Sequence, residues 1–285
     1  MYIAKARGKG RYEIFHPDMH APILARLEIE GELRTAIEQG ELRVHYQPIV
    51  ELVTGQIRGL EALVRWEHAE RGLVPPDEFV PVAEQSGLIH AIGKFVLDEA
   101  CTSLGSLQTT FDGPVYVAVN LSAAQFESPE LPQIVADALR RSGAPPELLV
   151  LEITETTVMT DTEATVQRLN ALKKLGVRIA IDDFGTGYSS LSYPRRFPVH
   201  ILKIDRTFVR NIDGSAEESA LAQAILKLAQ TFKLEAVAEG IERREQLAAL
   251  VRMGCRLGQG YLFAQPRPLE ELALAFKGRT LALMS

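Results

Sequence analysis

Eight short runs rich in aliphatic and β-branched residues recur along the chain: RVHYQPIVEL, IRGLEALVRW, VYVAVNLS, LLVLEITE, VRIAIDDFG, HILKIDR, LEAVAEGIE and RLGQGYLF. Most are separated by segments such as TEATVQRLNALKKLG and ESALAQAILKLAQTFK, in which Ala, Leu, Ile and Val return at three- and four-residue spacings. That spacing predicts amphipathic helices. Strands alternating with helices predict an α/β fold with a largely parallel sheet. The later runs are almost continuously apolar, as strands covered on both faces must be. The first two runs are joined mainly by Val53-Thr54-Gly55-Gln56, which is too short for a crossover helix and suits an antiparallel hairpin. Ahead of them, APILARLEIEGELRTAIEQGEL reads as a connecting helix despite Gly31.

A barrel reading demands that the working residues sit at the C-terminal ends of the strands. Glu61, Asn120, Glu152, Asp182 with Asp183, Asp205, Glu239 and Gln259 each lie at or near the end of a different run. One such residue is ordinarily a cap or a turn former. Repetition at equivalent places points instead to a shared site. In LEALVRW the strand period puts Glu61, Leu63 and Arg65 on one face, offering a ligand, an apolar wall and a cation for phosphate. Lys203 and Asp205 likewise share a face. The adjacent pair Asp182-Asp183 is harder to explain, because neighbours on a strand point to opposite sides. They can act together only where the strand ends and the loop at Gly185 turns the chain.

These oxygens set the chemistry. Glu, Asp and Asn suit hard divalent cations, Mg²⁺ or Mn²⁺, and the lack of His at these places argues against zinc. The carboxylates outnumber the needs of one octahedral ion. Two ions about 3.5–4 Å apart would neutralise the cluster, activate a water and stabilise both oxygens of a phosphodiester displacement. The chain has 285 residues, 46% hydrophobic and 24% charged, with a formal net charge of -6. An acidic balance argues against a polynucleotide-binding surface, while a small phosphate ligand held by metals stays compatible. Two cysteines outside any metal-binding spacing fit a reducing compartment. With no apolar run of about eighteen residues and no signal-peptide core, cytoplasmic placement is expected, with membrane contact only through regions outside this chain.

From Leu42 to Pro268 the chain resembles the EAL family of cyclic di-GMP phosphodiesterases. The resemblance rests on YQPIV, EALVRW, VNLS, EITE, DDFGTGYSSL, LKID, AEGIE and QGYLFAQP, eight motifs in order. It implies a modified (β/α)₈ TIM-like barrel whose first strand is antiparallel, in agreement with the short first joint. Position by position, it assigns metal ligation to Glu61, Asn120, Glu152, Asp182, Asp183 and Glu239. Lys203 matches the lysine that orients the attacking water. Gln47, Leu63, Arg65, Asp205, Glu242 and Gln259, with Asn120, match places that hold the dinucleotide or support the site. Glu155 matches the glutamate that anchors the loop after Asp183. The implied reaction opens cyclic di-GMP to linear 5′-pGpG, with two Mg²⁺ or Mn²⁺ ions. The alternative is a receptor that binds the dinucleotide without cutting it, but no ligand, lysine or loop glutamate is lost here. Family members commonly pair as homodimers, here through a helix beginning near Ser189. Residues 1–20, with MYIAKARGKGRYEIF, resemble the end of a GGDEF diguanylate cyclase domain and a linker, which leaves 21–285 for the EAL barrel.

Overall fold

Every one of the eight apolar runs becomes a strand of one closed barrel. The computed structural model describes residues 21–111, 113–159, 162–186, 197–214 and 216–276. Helix α1 (Ala21–Gln39) continues through Gly31 and buries Leu33 and Ala36. Strands β1 (Leu42–Glu51) and β2 (Ile57–His68) form the expected antiparallel hairpin. Its turn is closed by the Glu51 N–H on the Gln56 carbonyl at 2.9 Å, with Gly55 at φ 71°. A short β3 (Gly72–Val74), not foreseen from the sequence, pairs with the end of β2 beyond the barrel.

The remaining strands are β4 (Tyr116–Leu121), β5 (Leu149–Thr154), β6 (Arg178–Phe184), β7 (Ile201–Ile204), β8 (Glu235–Ala238) and β9 (Leu257–Gln259). From β2 through β4 to β9 the ladder is parallel, and β1 closes it by pairing antiparallel with both β2 and β9. Helices α2 (Pro76–Ser86), α3 (Ile89–Thr110), α4 (Ala123–Glu127), α5 (Leu131–Ser142), α6 (Glu155–Met159), α7 (Thr162–Lys174), α8 (Arg206–Val209), α9 (Ala216–Phe232), α10 (Arg244–Arg252) and α11 (Leu269–Phe276), with a 3₁₀ turn at Pro146–Leu148, complete the described chain. Local signals start and stop them. Ser122 and Gln125 form a capping box on α4, and Gly143 ends α5 in the left-handed conformation.

Strand periodicity divides the core in two. Val117, Val119, Leu151, Ile153, Ile179 and Leu202 point outward and pack under the helices. Ile49, Tyr116, Ala118, Val150, Ala180, Ile201, Val237 and Leu257 form a separate cluster inside the barrel. Both faces are dry, so the strands are apolar at successive positions; full burial of each Val, Leu or Ile contributes about 1.5–3 kcal/mol. The end of the barrel away from the strand C-termini is shut by charge pairs. Arg178 ion-pairs with Glu235 and covers the Tyr116 ring at 5.3 Å. Glu51 joins Arg58 of β2 at 2.8 Å and Arg256, just before β9, at 3.1 Å.

Candidate active site

One step of two residues along each strand leads from the apolar interior layer to a polar one. From Ile49 the antiparallel β1 reaches Gln47; from Gly59, β2 reaches Glu61. Likewise Ala118 leads to Asn120, Val150 to Glu152, Ala180 to Asp182, Ile201 to Lys203, Val237 to Glu239 and Leu257 to Gln259. Each of the eight barrel strands thus supplies one polar residue to a single layer above the interior core. The layer is made by strand period alone.

Lys203 occupies its centre at 1% exposure. Its Nζ lies 2.6 Å from Glu152 Oε2, 2.7 Å from Glu239 Oε1, 3.4 Å from Asp182 Oδ1 and 3.7 Å from Glu61 Oε2. Amides complete the ring. Asn120 Nδ2 donates to Glu61 Oε1 at 2.7 Å, and Gln259 Nε2 donates to Glu61 Oε2 at 2.5 Å and to Gln47 Oε1 at 2.8 Å. Gln47 in turn donates to the Ala264 carbonyl at 3.0 Å.

Four carboxylates facing one ammonium cannot all ionise comfortably in a buried layer. For Lys203, burial would lower the pKa, but Asp182, Glu152, Glu239 and Glu61 together hold it well above the ordinary lysine value. Burial, reinforced by Glu61 and Asp182, raises Glu152 despite Lys203. Glu239 is pushed up to about 8, again by burial first and then by Asp182 and Glu61 against the pull of Lys203. Glu61 goes the other way: burial is outweighed by the Lys203 charge and the Gln259 and Asn120 amides. Glu152 and Glu239, the two carboxyls that are raised, are therefore those whose protons a divalent cation would compete for.

The Asp-Asp pair is resolved at the backbone. Asp183 takes φ 52°, a left-handed conformation that Asp tolerates better than bulky residues. The β6–β7 register shifts between Ile181 and Phe184. This irregularity breaks the alternation of strand neighbours, so Asp182, Asp183 and Glu239 each offer an oxygen within 4.8 Å of the others. The turn thus begins at Asp183 itself, with Gly185 at φ 99° continuing it. Asp183 is raised by burial first, then by the neighbouring charges of Asp182 and Asp205. Asp205 caps α8, accepting the Thr207 N–H at 2.9 Å. Glu155, at 3% exposure, accepts the Gly185 N–H at 2.8 Å. A hard-cation donor set is therefore present in one place, and the residues fit divalent ions.

The open side of the layer is a cleft of about 270 Å³, lined by Gln47, Glu61, Leu63, Asp182, Lys203, Glu239, Glu242 and Gln259 among the sequence candidates. Two larger clefts, about 520 and 450 Å³, border β1 farther out. Neither contains the carboxylate cluster, so the chemistry belongs to the smaller one. Asn120 and Glu152 meet the cleft through Glu61 and Lys203. Arg65 does not line it and donates to the Val64 carbonyl at 2.8 Å. The sequence reading missed Arg206, Gly240, Gly260 and Tyr261, which also line the cleft. Each directly follows a candidate or lies two residues beyond one, in IDR, AEG and QGY, so the strand-end rule extended into the loops would have found them.

A sequence model of the EAL domain matches residues 30–266. The chain belongs to the EAL domain family. It is 43% identical over 272 residues to the bifunctional diguanylate cyclase/cyclic di-GMP phosphodiesterase MucR of Pseudomonas aeruginosa, covering 95% of this chain and 40% of MucR. It is 42% identical over 272 residues to the cyclic di-GMP phosphodiesterase NbdA of the same organism, covering 95% of this chain and 35% of NbdA. The chain thus spans well under half the length of these relatives. Among solved structures, the PaMucR phosphodiesterase in complex with c-di-GMP superposes with a TM-score of 0.83 at 44% identity, covering 86% of this chain and 99% of that one. The barrel with its antiparallel β1 is the EAL fold. No described helix is long and apolar enough to cross a membrane.

Proposed function

We propose that this EAL domain is a metal-dependent phosphodiesterase that opens cyclic di-GMP to linear 5′-pGpG. The observation that carries the reading is the oxygen cluster of Asp182, Asp183 and Glu239 beside a buried Lys203. MucR and NbdA, both at least 42% identical, are cyclic di-GMP phosphodiesterases by name. Asp182, Asp183 and Glu239, with Glu61, Asn120 and Glu152 around them, are the proposed ligands for two ions, Mg²⁺ or Mn²⁺. Such ions supply Lewis-acid stabilisation of phosphoryl charge and make an attacking water easier to deprotonate. Lys203 keeps its proton, holds Glu152 and Glu239 in place and is the donor that orients the water. Gln259 and Gln47 fix Glu61 from the opposite side. Glu155 holds the backbone at Gly185 and through it the turn that presents Asp183. Leu63 and Glu242 complete the proposed substrate contacts, and Arg65 and Asp205 support the site from outside the cleft lining.

Residues 1–20 lie outside the described residues. We read them as the end of a GGDEF domain and a linker, with the barrel domain over 21–285, a reading supported by the two activities in MucR's name. Homodimerisation through the segment near Ser189, also outside the described residues, and cytoplasmic placement belong to the same proposal.

The test is incubation of the purified chain with cyclic di-GMP and Mg²⁺ or Mn²⁺, with products separated by chromatography. Linear 5′-pGpG is expected. Tight binding without product would establish the receptor alternative instead.

A further inference from the structure

Two cations line the cleft, and they are differently engaged. Lys203 is surrounded by four carboxylates, whereas the exposed Arg206 makes no side-chain hydrogen bond or ion pair among the described residues. A guanidinium with no partner among the described residues, in a cleft this acidic, is available to a ligand.

Its placement is built. Arg206 opens α8 immediately after the cap Asp205 and packs its Cβ on Gly240. A Cβ at Gly240 would lie 2.5 Å from that of Arg206, and Gly240 has φ 66°, so only glycine lets the two segments touch this way. The same segments are latched by Gln246, which is 2% exposed. Gln246 Oε1 accepts the Glu242 N–H at 2.8 Å and the Arg243 N–H at 2.9 Å, while Nε2 donates to the Arg210 carbonyl at 3.0 Å. Arg243 adds a two-pronged pair with Asp213 at 2.8 and 2.9 Å. Arg206 and Glu242 therefore stand on one stiff wall. Beside them Tyr261, 59% exposed, leaves an aromatic ring uncovered at the cleft.

A guanidinium fork, a carboxylate and an open aromatic ring are the complement of guanine. O6 and N7 accept from the fork, the N1–H and N2–H groups donate to the carboxylate, and the ring stacks on the aromatic. Adenine presents a donor where guanine has O6 and lacks the N1–H, so it meets the fork unfavourably. We propose that Arg206 is a specificity-determining residue that reads the O6/N7 edge of a guanine in the bound dinucleotide. This rests on the cyclic di-GMP reading above and goes beyond it by assigning the base contact.

The test compares wild type, Arg206→Met and Arg206→Lys on cyclic di-GMP and on bis(p-nitrophenyl) phosphate, a diester without a guanine, in Mn²⁺. Circular dichroism monitors folding. The ratio of kcat/KM for cyclic di-GMP over the base-free diester should fall between about fivefold and a hundredfold in Arg206→Met. Arg206→Lys should restore little of it, because an ammonium keeps the charge but not the fork. An unchanged ratio, equal losses on both substrates, or full rescue by lysine would overturn the base contact while leaving the phosphodiesterase reading intact. A wild type that cleaves the base-free diester but not cyclic di-GMP would overturn that reading and this inference with it.

Discussion

Replacing Lys203 with methionine removes the ammonium at the centre of the polar layer and keeps its length. In the wild type that charge lies within 4.0 Å of Glu152, Glu239, Asp182 and Glu61, all inside the barrel. Removing one partner of a buried pair costs about 3–5 kcal/mol, because the charge left behind has neither water nor counter-ion. For a domain of roughly this size, each kcal/mol shifts Tm by about 2–4 °C, so the chelated variant should melt about 6–20 °C below the chelated wild type. Protonating the orphaned carboxylates relieves the repulsion, which makes the difference smaller at pH 5 than at pH 8. Divalent ions supply the missing positive charge, so saturating Mg²⁺ should raise the Tm of the variant more than that of the wild type. The assay is thermal melting of both proteins by circular dichroism in chelator and in Mg²⁺ at the two pH values. A chelated variant melting within 2 °C of wild type at pH 8, on the order of one kcal/mol or less, would refute the view that Lys203 neutralises the layer.

Metal binding should release protons. Glu239 keeps its proton to about pH 8 when folded but has an ordinary value of 4.5, so the metal-free fold loses stability as pH rises between those values and Mg²⁺ affinity increases over the same window. Calorimetry in buffers of different ionisation enthalpy measures the release, and none at pH 7 would sink the idea. Glu51 has the opposite sign: Arg58 and then Arg256 lower it from 4.5 to about 2, so its contribution is full above about pH 4.5 and lost as pH falls toward 2. The shift sets a ceiling of about 3 kcal/mol, which solvent screening reduces to about 1–2 kcal/mol; Glu51→Gln should lower stability at pH 7 by that amount and flatten the acid limb of a urea-denaturation series, and an unchanged limb counts against it. Glu155→Ala should stay folded and lose about a hundredfold in turnover, since a misplacement of about 1 Å suffices for that. Raising Mg²⁺ should recover Glu155→Ala partly and Glu152→Ala poorly; a folded Glu155→Ala with wild-type turnover would show that the Gly185 tether is dispensable.

The barrel was readable because its two determinants are both local. Apolar runs mark strands, three- and four-residue spacing marks helices, and the four-residue joint at Val53–Gln56 leaves only a hairpin. The polar layer was readable for a related reason: Asn120, Glu152, Asp182, Lys203, Glu239 and Gln259 each follow an interior apolar residue by two. Three things were not readable. The extra strand β3 has only three residues, Gly72–Val74, too few to display a period. The turning point at Asp183 depends on a register shift against β7, which is a relation between strands and not a property of either. The seating of Arg206 against Gly240 was not readable either, because the contact joins the start of α8 to a loop more than thirty residues away in the sequence.

The layered interior also explains how the domain tolerates so unfavourable a cluster. Directly below the carboxylates lie Val150, Ala180, Ile201, Val237 and Leu257, side chains that supply no counter-charge and admit no water. The repulsion is therefore confined to one layer, where Lys203 relieves part of it and the opening to the cleft leaves room for cations to relieve the rest. Had Lys203 been paired with a single carboxylate on the surface, the pair would contribute little, and the remaining acids would simply be solvated. Because Glu61 and Glu152 are buried while Asp182, Asp183 and Glu239 stand at the opening, the charge that Lys203 does not offset is turned toward the cleft, where divalent ions can meet it.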